Sequence, residues 1–161
     1  MQIQSIQLLN TGLEAITSGI VAATIAQTIK LLTDIIIHKR FDFRVLTTTG
    51  GMPSSHSAGV VGLTTTIGII GGWTSLEFAV SVGLSLVTMY DAAGIRRASG
   101  KMAVCLNKMM EDFYKKDINA AGTKLKEMLG HTPKEVLCGA LLGIAFAFFY
   151  HSFLLHYFTV S

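Results

Sequence analysis

Apolar residues dominate this chain in long runs, and polar and charged residues collect at the interruptions between them. From about Ala15 to Ile37 the sequence stays apolar over the roughly 20 residues that a helix needs to cross a bilayer. Within that run Gln27, Lys30, Asp34 and His38 recur at intervals of 3, 4 and 4, so they share one helical face. A polar stripe inside a span faces protein or water. It is either a Lys30–Asp34 pair snorkelling to the interface or part of a site. Residues 57–73 form a second run, free of charge and rich in glycine, with Thr64 to Thr66 at its centre, a composition that close helix packing in lipid favours. Gly71-Gly72-Trp73-Thr74 interrupts it, and Trp73 suits an interfacial anchor. A third run covers 74–93, with Ser81 and Ser85 as a small-xxx-small pair. A fourth covers 136–158 and holds Gly139 and Gly143 as a GxxxG pair.

Between the third and fourth runs the pattern changes. Met102, Leu106, Met109, Met110 and Phe113 recur at helical spacing among charged residues, which predicts one or two amphipathic helices at the membrane surface. A Met and Phe stripe of this kind is more often plain packing than a lipid-binding face. The pattern as a whole predicts an all-α fold. It is a single polytopic membrane domain over 1–161, with about four transmembrane helices, one or two amphipathic surface helices, and connecting segments at 38–56 and 94–135.

Composition agrees and adds an orientation. Half of the 161 residues are hydrophobic, 14% are charged and the mean hydropathy is +0.52, values unusual for a soluble fold of this size. Met1 to Leu13 carries no Lys or Arg and so lacks the basic start of a secretory signal, and the first run is expected to remain as a span. Cys105 and Cys138 are too few for a disulfide framework and have no metal-motif spacing. All 13 Lys and Arg residues fall at the end of the first span, in the two connecting segments, or in the first turn of the last span. Four crossings put both termini on one side. The positive-inside rule then places segments 38–56 and 94–135 in the cytoplasm and the termini outside. The same topology gathers Lys30, Asp34 and His38, the 50–57 stretch, Asp91 with Arg96 and Arg97, and His131 with Glu135 at one end of a helix bundle, where a site can form.

The chemistry follows from what gathers there. In Gly50-Gly51-Met52-Pro53-Ser54-Ser55-His56-Ser57-Ala58, glycines and proline fix a non-helical approach, Ser54 or Ser55 can cap the next helix, and His56 sits in its first turn. Thr132-Pro133-Lys134-Glu135 reads as a capping box, with His131 just before the cap. Two imidazoles at helix starts, among several cations, suit phosphoryl transfer. One attacks phosphorus, the other protonates the leaving oxygen, and the cations and helix N-termini hold the remaining oxygens. Asp91 either orients Arg97 or His131 or forms a simple Asp–Arg pair. His56, His131, Asp91 and Glu135 would be a mixed metal-ligand set at wide spacing, and the expectation is a site without metal or cofactor. His151 and His156, near the far end of the last span, carry no assigned role.

Pro53-Ser54-Ser55-His56 resembles the Pro-Ser-Gly-His motif of the type 2 phosphatidic acid phosphatase and vanadium haloperoxidase superfamily. His131-Thr132-Pro133-Lys134-Glu135-Val136, followed by Gly-x-x-x-Gly, is similar to its third motif, His-x-x-x-Asp at the start of a membrane helix. Together with Tyr90-Asp91-Ala92-Ala93-Gly94-Ile95-Arg96-Arg97, these stretches resemble the divergent branch of that superfamily, over about residues 12 to 150. The resemblance implies His131 as the nucleophile that forms a phosphohistidine, Glu135 as its orienting carboxylate and His56 as the general acid. Ser54 and the backbone around Ser55 would hold phosphate. The superfamily's first motif has no match here, and Lys30, Lys39 and Arg44 are the candidates for its job. Leu125 stands where the third motif has arginine, a charge that Arg96 or Arg97 could supply.

These readings predict a membrane phosphatase or phosphotransferase acting on a lipid-linked phosphate or diphosphate, its site facing the cytoplasm of a bacterial plasma membrane. Its partners are a phosphorylated lipid and the bilayer, with no nucleic acid expected and the choice between monomer and homo-oligomer left open. The rival is a lipid-phosphate binder or transporter of the same fold without catalysis. A structural scaffold would leave the gathering of polar groups at one end unexplained.

Overall fold

In a computed structural model, which describes residues 8–39, 50–113 and 130–160, the chain is a helical bundle: α1 (Gly12–His38), α2 (Ser55–Gly71), α3 (Leu76–Tyr90), a π-helical turn (Asp91–Ile95), α4 (Arg96–Phe113) and α5 (Pro133–Val160). Arg44 lies outside the described residues. Among the described residues three stretches are long and apolar enough to cross a membrane, namely Gly12–Ile37, Leu76–Glu111 and Pro133–Thr159. The second predicted span, α2, has 17 residues and reaches about 25 Å at 1.5 Å per residue, short of a hydrocarbon core of about 30 Å. It lies at the centre of the bundle and packs on α1, α3 and α5.

Small residues make those contacts. A Cβ on Gly139 would strike the backbone of Ser54, and one on Gly143 would strike the Ala58 carbonyl and the Gly62 amide. The predicted GxxxG pair thus lays α5 directly on the backbone of α2. Toward α1, Gly59 faces Gly19 and Ala23, and Gly62, which also lies against Gly143, faces Ala22. The buried cluster is Ala22, Ala26 and Ala58, with Leu142 and Phe146 packed against it. Large apolar side chains such as Ile36, Leu76, Val80 and Phe149 point outward. This inverted arrangement is what lipid selects, because hydrocarbon tails are as apolar as leucine and association rests on close backbone approach and hydrogen bonds.

Hydroxyls supply the hydrogen bonds. Thr64 donates to the Ser81 carbonyl at 3.1 Å and pairs with the Ser85 hydroxyl at 2.8 Å, while Ser85 donates to the Val60 carbonyl at 3.2 Å. The small-xxx-small pair on α3 therefore meets the central threonines of α2. Thr66 reaches the other way, to Ser18 of α1 at 2.9 Å. At the terminal end, Glu14 is fully buried. It accepts from the Asn10 amide at 2.7 Å and pairs with His151 Nδ1 of α5 at 2.7 Å. Trp73 folds over Gly68 and meets Phe78 edge to face at 5.2 Å, which closes the turn that Gly72 makes at φ 91°.

The third predicted span differs from expectation at its end. Instead of a loop from residue 94, the helix runs on from α3 through the π turn into α4. No proline stands in that stretch, and Gly94 alone does not stop a helix. Leu76 to Ile95 covers about 30 Å at the helical rise, so the π turn falls near the second interface and α4 extends past it. Met102, Leu106, Met109 and Phe113 of α4 are exposed, and Asn107 is buried.

Replacing Gly143 with leucine is expected to push α5 off α2 and cost about 1–3 kcal/mol. Leu141→Ala, at an outward-facing position, should stay within about 0.5 kcal/mol of the parent. Helicity followed through a denaturant titration in detergent checks both.

Candidate functional site

One end of the bundle gathers the polar groups that the sequence scatters. The approach to α2 starts at Gly50 and Gly51, with φ 115° and 88°, passes through a cis Met52–Pro53 bond, and ends at Ser54. Gly51 is favoured by its backbone and lies against a side chain. Its φ lies in the region that side chains disfavour, and a Cβ there would meet the Lys30 side chain, 2.9 Å from Cε. Lys30 thus crosses from α1 and lays its stem on the loop. It is buried, and the carboxylates of Glu135 and Asp34 interact with it electrostatically. Lys30 thus lies inward, with Asp34 of its own helix and Glu135 of α5 as its charged neighbours.

Ser54 is the N-cap of α2. Its hydroxyl accepts from the Ser57 amide at 3.4 Å and from the Ser57 hydroxyl at 3.1 Å, and the whole side chain is buried. Its backbone amide donates to the Glu135 carbonyl at 3.0 Å, so the loop is fastened to the first turn of α5. That first turn is the predicted capping box. The Thr132 amide donates to Glu135 Oε2 at 3.1 Å, and the Glu135 amide to Thr132 Oγ1 at 3.4 Å. His131 precedes it, buried, and its backbone amide donates to the Ala92 carbonyl of the π turn at 3.1 Å. The π turn, led by half-buried Asp91, thereby fixes where α5 begins.

The outcome is a pair of imidazoles. His56, exposed in the first turn of α2, and His131 have ring centroids 6.3 Å apart and planes at 84°. Ser55, half-buried, opens α2 beside them. Lys30, Ser54, Ser55, His56, Asp91, His131 and Glu135 therefore all belong to one end of the bundle. Arg96 and Arg97 open α4 next to the π turn, and their side chains, like that of His38, lie outside the described ones. No cluster of three or more metal-ligating side chains occurs among the described residues.

Sequence reasoning missed two features. The π turn has no composition signal, although π turns recur at functional sites. Glu14 gave a readable one: Thr11-Gly12-Leu13-Glu14 has capping-box spacing at the start of the first span. Its partner His151 could not be paired with it from sequence.

An all-helical bundle with, among the described residues, three helices long and apolar enough to cross a membrane, and with polar groups gathered at one end, defines an integral membrane protein. The chain belongs to the Divergent PAP2 family, which it matches over residues 12–146. It is 42% identical over 137 residues to the uncharacterized membrane protein YuiD of Bacillus subtilis (strain 168), a match covering 79% of this chain and 87% of that relative. No solved structure matches it.

Glutamine at position 135 keeps an acceptor for the Thr132 amide, whereas alanine does not. Both lose the charge beside buried Lys30 and should unfold earlier than the parent, Glu135→Ala by about 1 kcal/mol more than Glu135→Gln, read by the same denaturant titration.

Proposed function

We propose that the chain is a membrane phosphatase or phosphotransferase acting on a lipid-linked phosphate or diphosphate through a phosphohistidine intermediate. The observation that carries this reading is the approach of the His56 and His131 rings to 6.3 Å, which lets a single phosphoryl group touch both. His131 attacks phosphorus as the bond to the leaving oxygen breaks, and His56 gives that oxygen its proton. Water then attacks the phosphohistidine, His56 takes a proton from it, and inorganic phosphate leaves with His131 restored. Burial of His131 and its backbone tether to the π turn hold the nucleophile still while exposed His56 keeps access to water.

The remaining roles follow from placement. Lys30, with the starts of α2 and α5, offers positive charge to the non-bridging oxygens. Ser55 and the backbone beside it line the phosphate position, and buried Ser54 sets their direction through the cap. Arg96, Arg97 and Arg44 add cations from the connecting segments. Asp91 and Glu135 orient the groups around His131. The Lys and Arg distribution supports a cytoplasmic site with both termini outside.

A non-catalytic lipid-phosphate binder or transporter is the second reading. It is favoured by the Glu135 carboxylate, which already serves the Thr132 amide. Saturable binding without turnover would support it, and measured hydrolysis would remove it.

Phosphate release from a panel of lipid phosphates in detergent, with chelator present, tests the first reading. His131→Ala should abolish turnover, and His56→Ala should lower kcat by about 10²–10⁴-fold. Unchanged release by His131→Ala would reject the mechanism.

A further inference from the structure

The flanks of α2 are not equivalent. On one side α5 lies on its backbone through Gly139 and Gly143, leaving no space. On the other side α1 and α3 each pack on α2, but they do not close on each other along their length. Between them runs an open groove made of two abutting cavities of about 400 and 390 Å³. The first begins at His56 and Ser55 and runs over Gly59 and Leu63, between Ile20 of α1 and Leu84 of α3. The second continues from the shared Leu63 and Ile16 past Ile70 to the terminal end of the bundle. From His56 to Ile70 the floor measures about 21 Å at the helical rise.

We infer that this groove holds the hydrocarbon tail of the substrate, and that the substrate is a lipid phosphate presenting one long chain to the bundle. The inference rests on the proposed phosphate position at His56 and His131. Three observations choose the occupant. The groove starts at the imidazole that faces the phosphate, its walls beyond Ser55 and His56 are apolar as far as Ile70, with Thr11 and Glu77 at the terminal end, and it opens sideways to lipid. Ile20 and Leu84 on its rims are 61% and 58% exposed. Gly19, Ala23 and Gly59, which bring α1 onto α2, also line the first cavity on its α1 side. Moving a chain from bilayer to groove brings no hydrophobic gain, since both are hydrocarbon. What the groove supplies is registration, a tail held along α2 with its phosphate kept beside the imidazoles. With α5 sealing the opposite flank, one chain has a place and a second chain stays in the bilayer.

The experiment uses the full-length protein in detergent and a long-chain alkyl phosphate bearing a diazirine at its far end. Illumination should label α1 and α2 near Ile16, Ile67 and Ile70, saturably, with unlabelled alkyl phosphate competing. Label spread over outward-facing α5 positions such as Leu141 and Phe149 would overturn the assignment. This readout needs no turnover, so groove labelling without hydrolysis would reject the phosphatase reading and leave the groove standing. Hydrolysis with label elsewhere would do the reverse. Ile20→Trp and Leu84→Trp, which block the rims without touching helix backbones, should each reduce labelling and lower the preference for long over short alkyl phosphates about tenfold, while Leu141→Trp leaves that preference unchanged. An unaltered preference in both rim variants would also overturn it.

Discussion

The contact on which the rest of this structure depends is that of two glycines with a backbone. Gly139 rests on Ser54 and Gly143 on Ala58 and Gly62, so α5 and α2 touch main chain to main chain. That distance is set by atoms no rotamer can move. It fixes the first turns of both helices side by side, lets the Ser54 amide reach the Glu135 carbonyl, and brings His56 and His131 together. A site built on such a contact inherits its rigidity from the fold and needs no hydrogen bond between the imidazoles to hold their spacing.

Around that axis the bundle separates its attachments by chemistry. Glycine and alanine join α2 to α5 and α1, whereas α3 is held by a line of hydroxyls, Thr64 with Ser81 and Ser85. In lipid each such hydrogen bond is worth only about 0.6 kcal/mol, and Phe78 of α3 adds a contact on Gly68. That helix also borders the groove and, through the π turn, anchors the His131 amide. The groove wall and the start of α5 are thus mechanically connected.

Much of this was legible in the sequence where a local rule applied. The capping box at Thr132 to Glu135, the Ser54 cap, the GxxxG face and the small-xxx-small face each depend on neighbours within one or two helical turns, and each takes the expected form. The gathering of polar groups at one end followed from counting spans and cations. What escaped prediction depends on partners distant in sequence or on backbone register. The continuity of α3 with α4 arises because five residues adopt π geometry, which leaves no periodic signature. The Glu14–His151 pair joins residues 137 apart. Lys30 was readable either as a snorkelling cation or as part of a site, and that its stem lies on Gly51, a residue 21 positions away, could not be read from the sequence.

The inverted packing carries a consequence for how this chain can vary. In a water-soluble protein the interior tolerates exchange among large apolar residues and the surface accepts nearly any polar one. Here the interior is made of Gly, Ala, Ser and Thr, which cannot grow, while the exterior is Ile, Leu, Val and Phe, which exchange for one another freely so long as they stay oily. Sequence drift should therefore concentrate on the bulky residues, and the smallest side chains in the chain are the ones that carry its architecture.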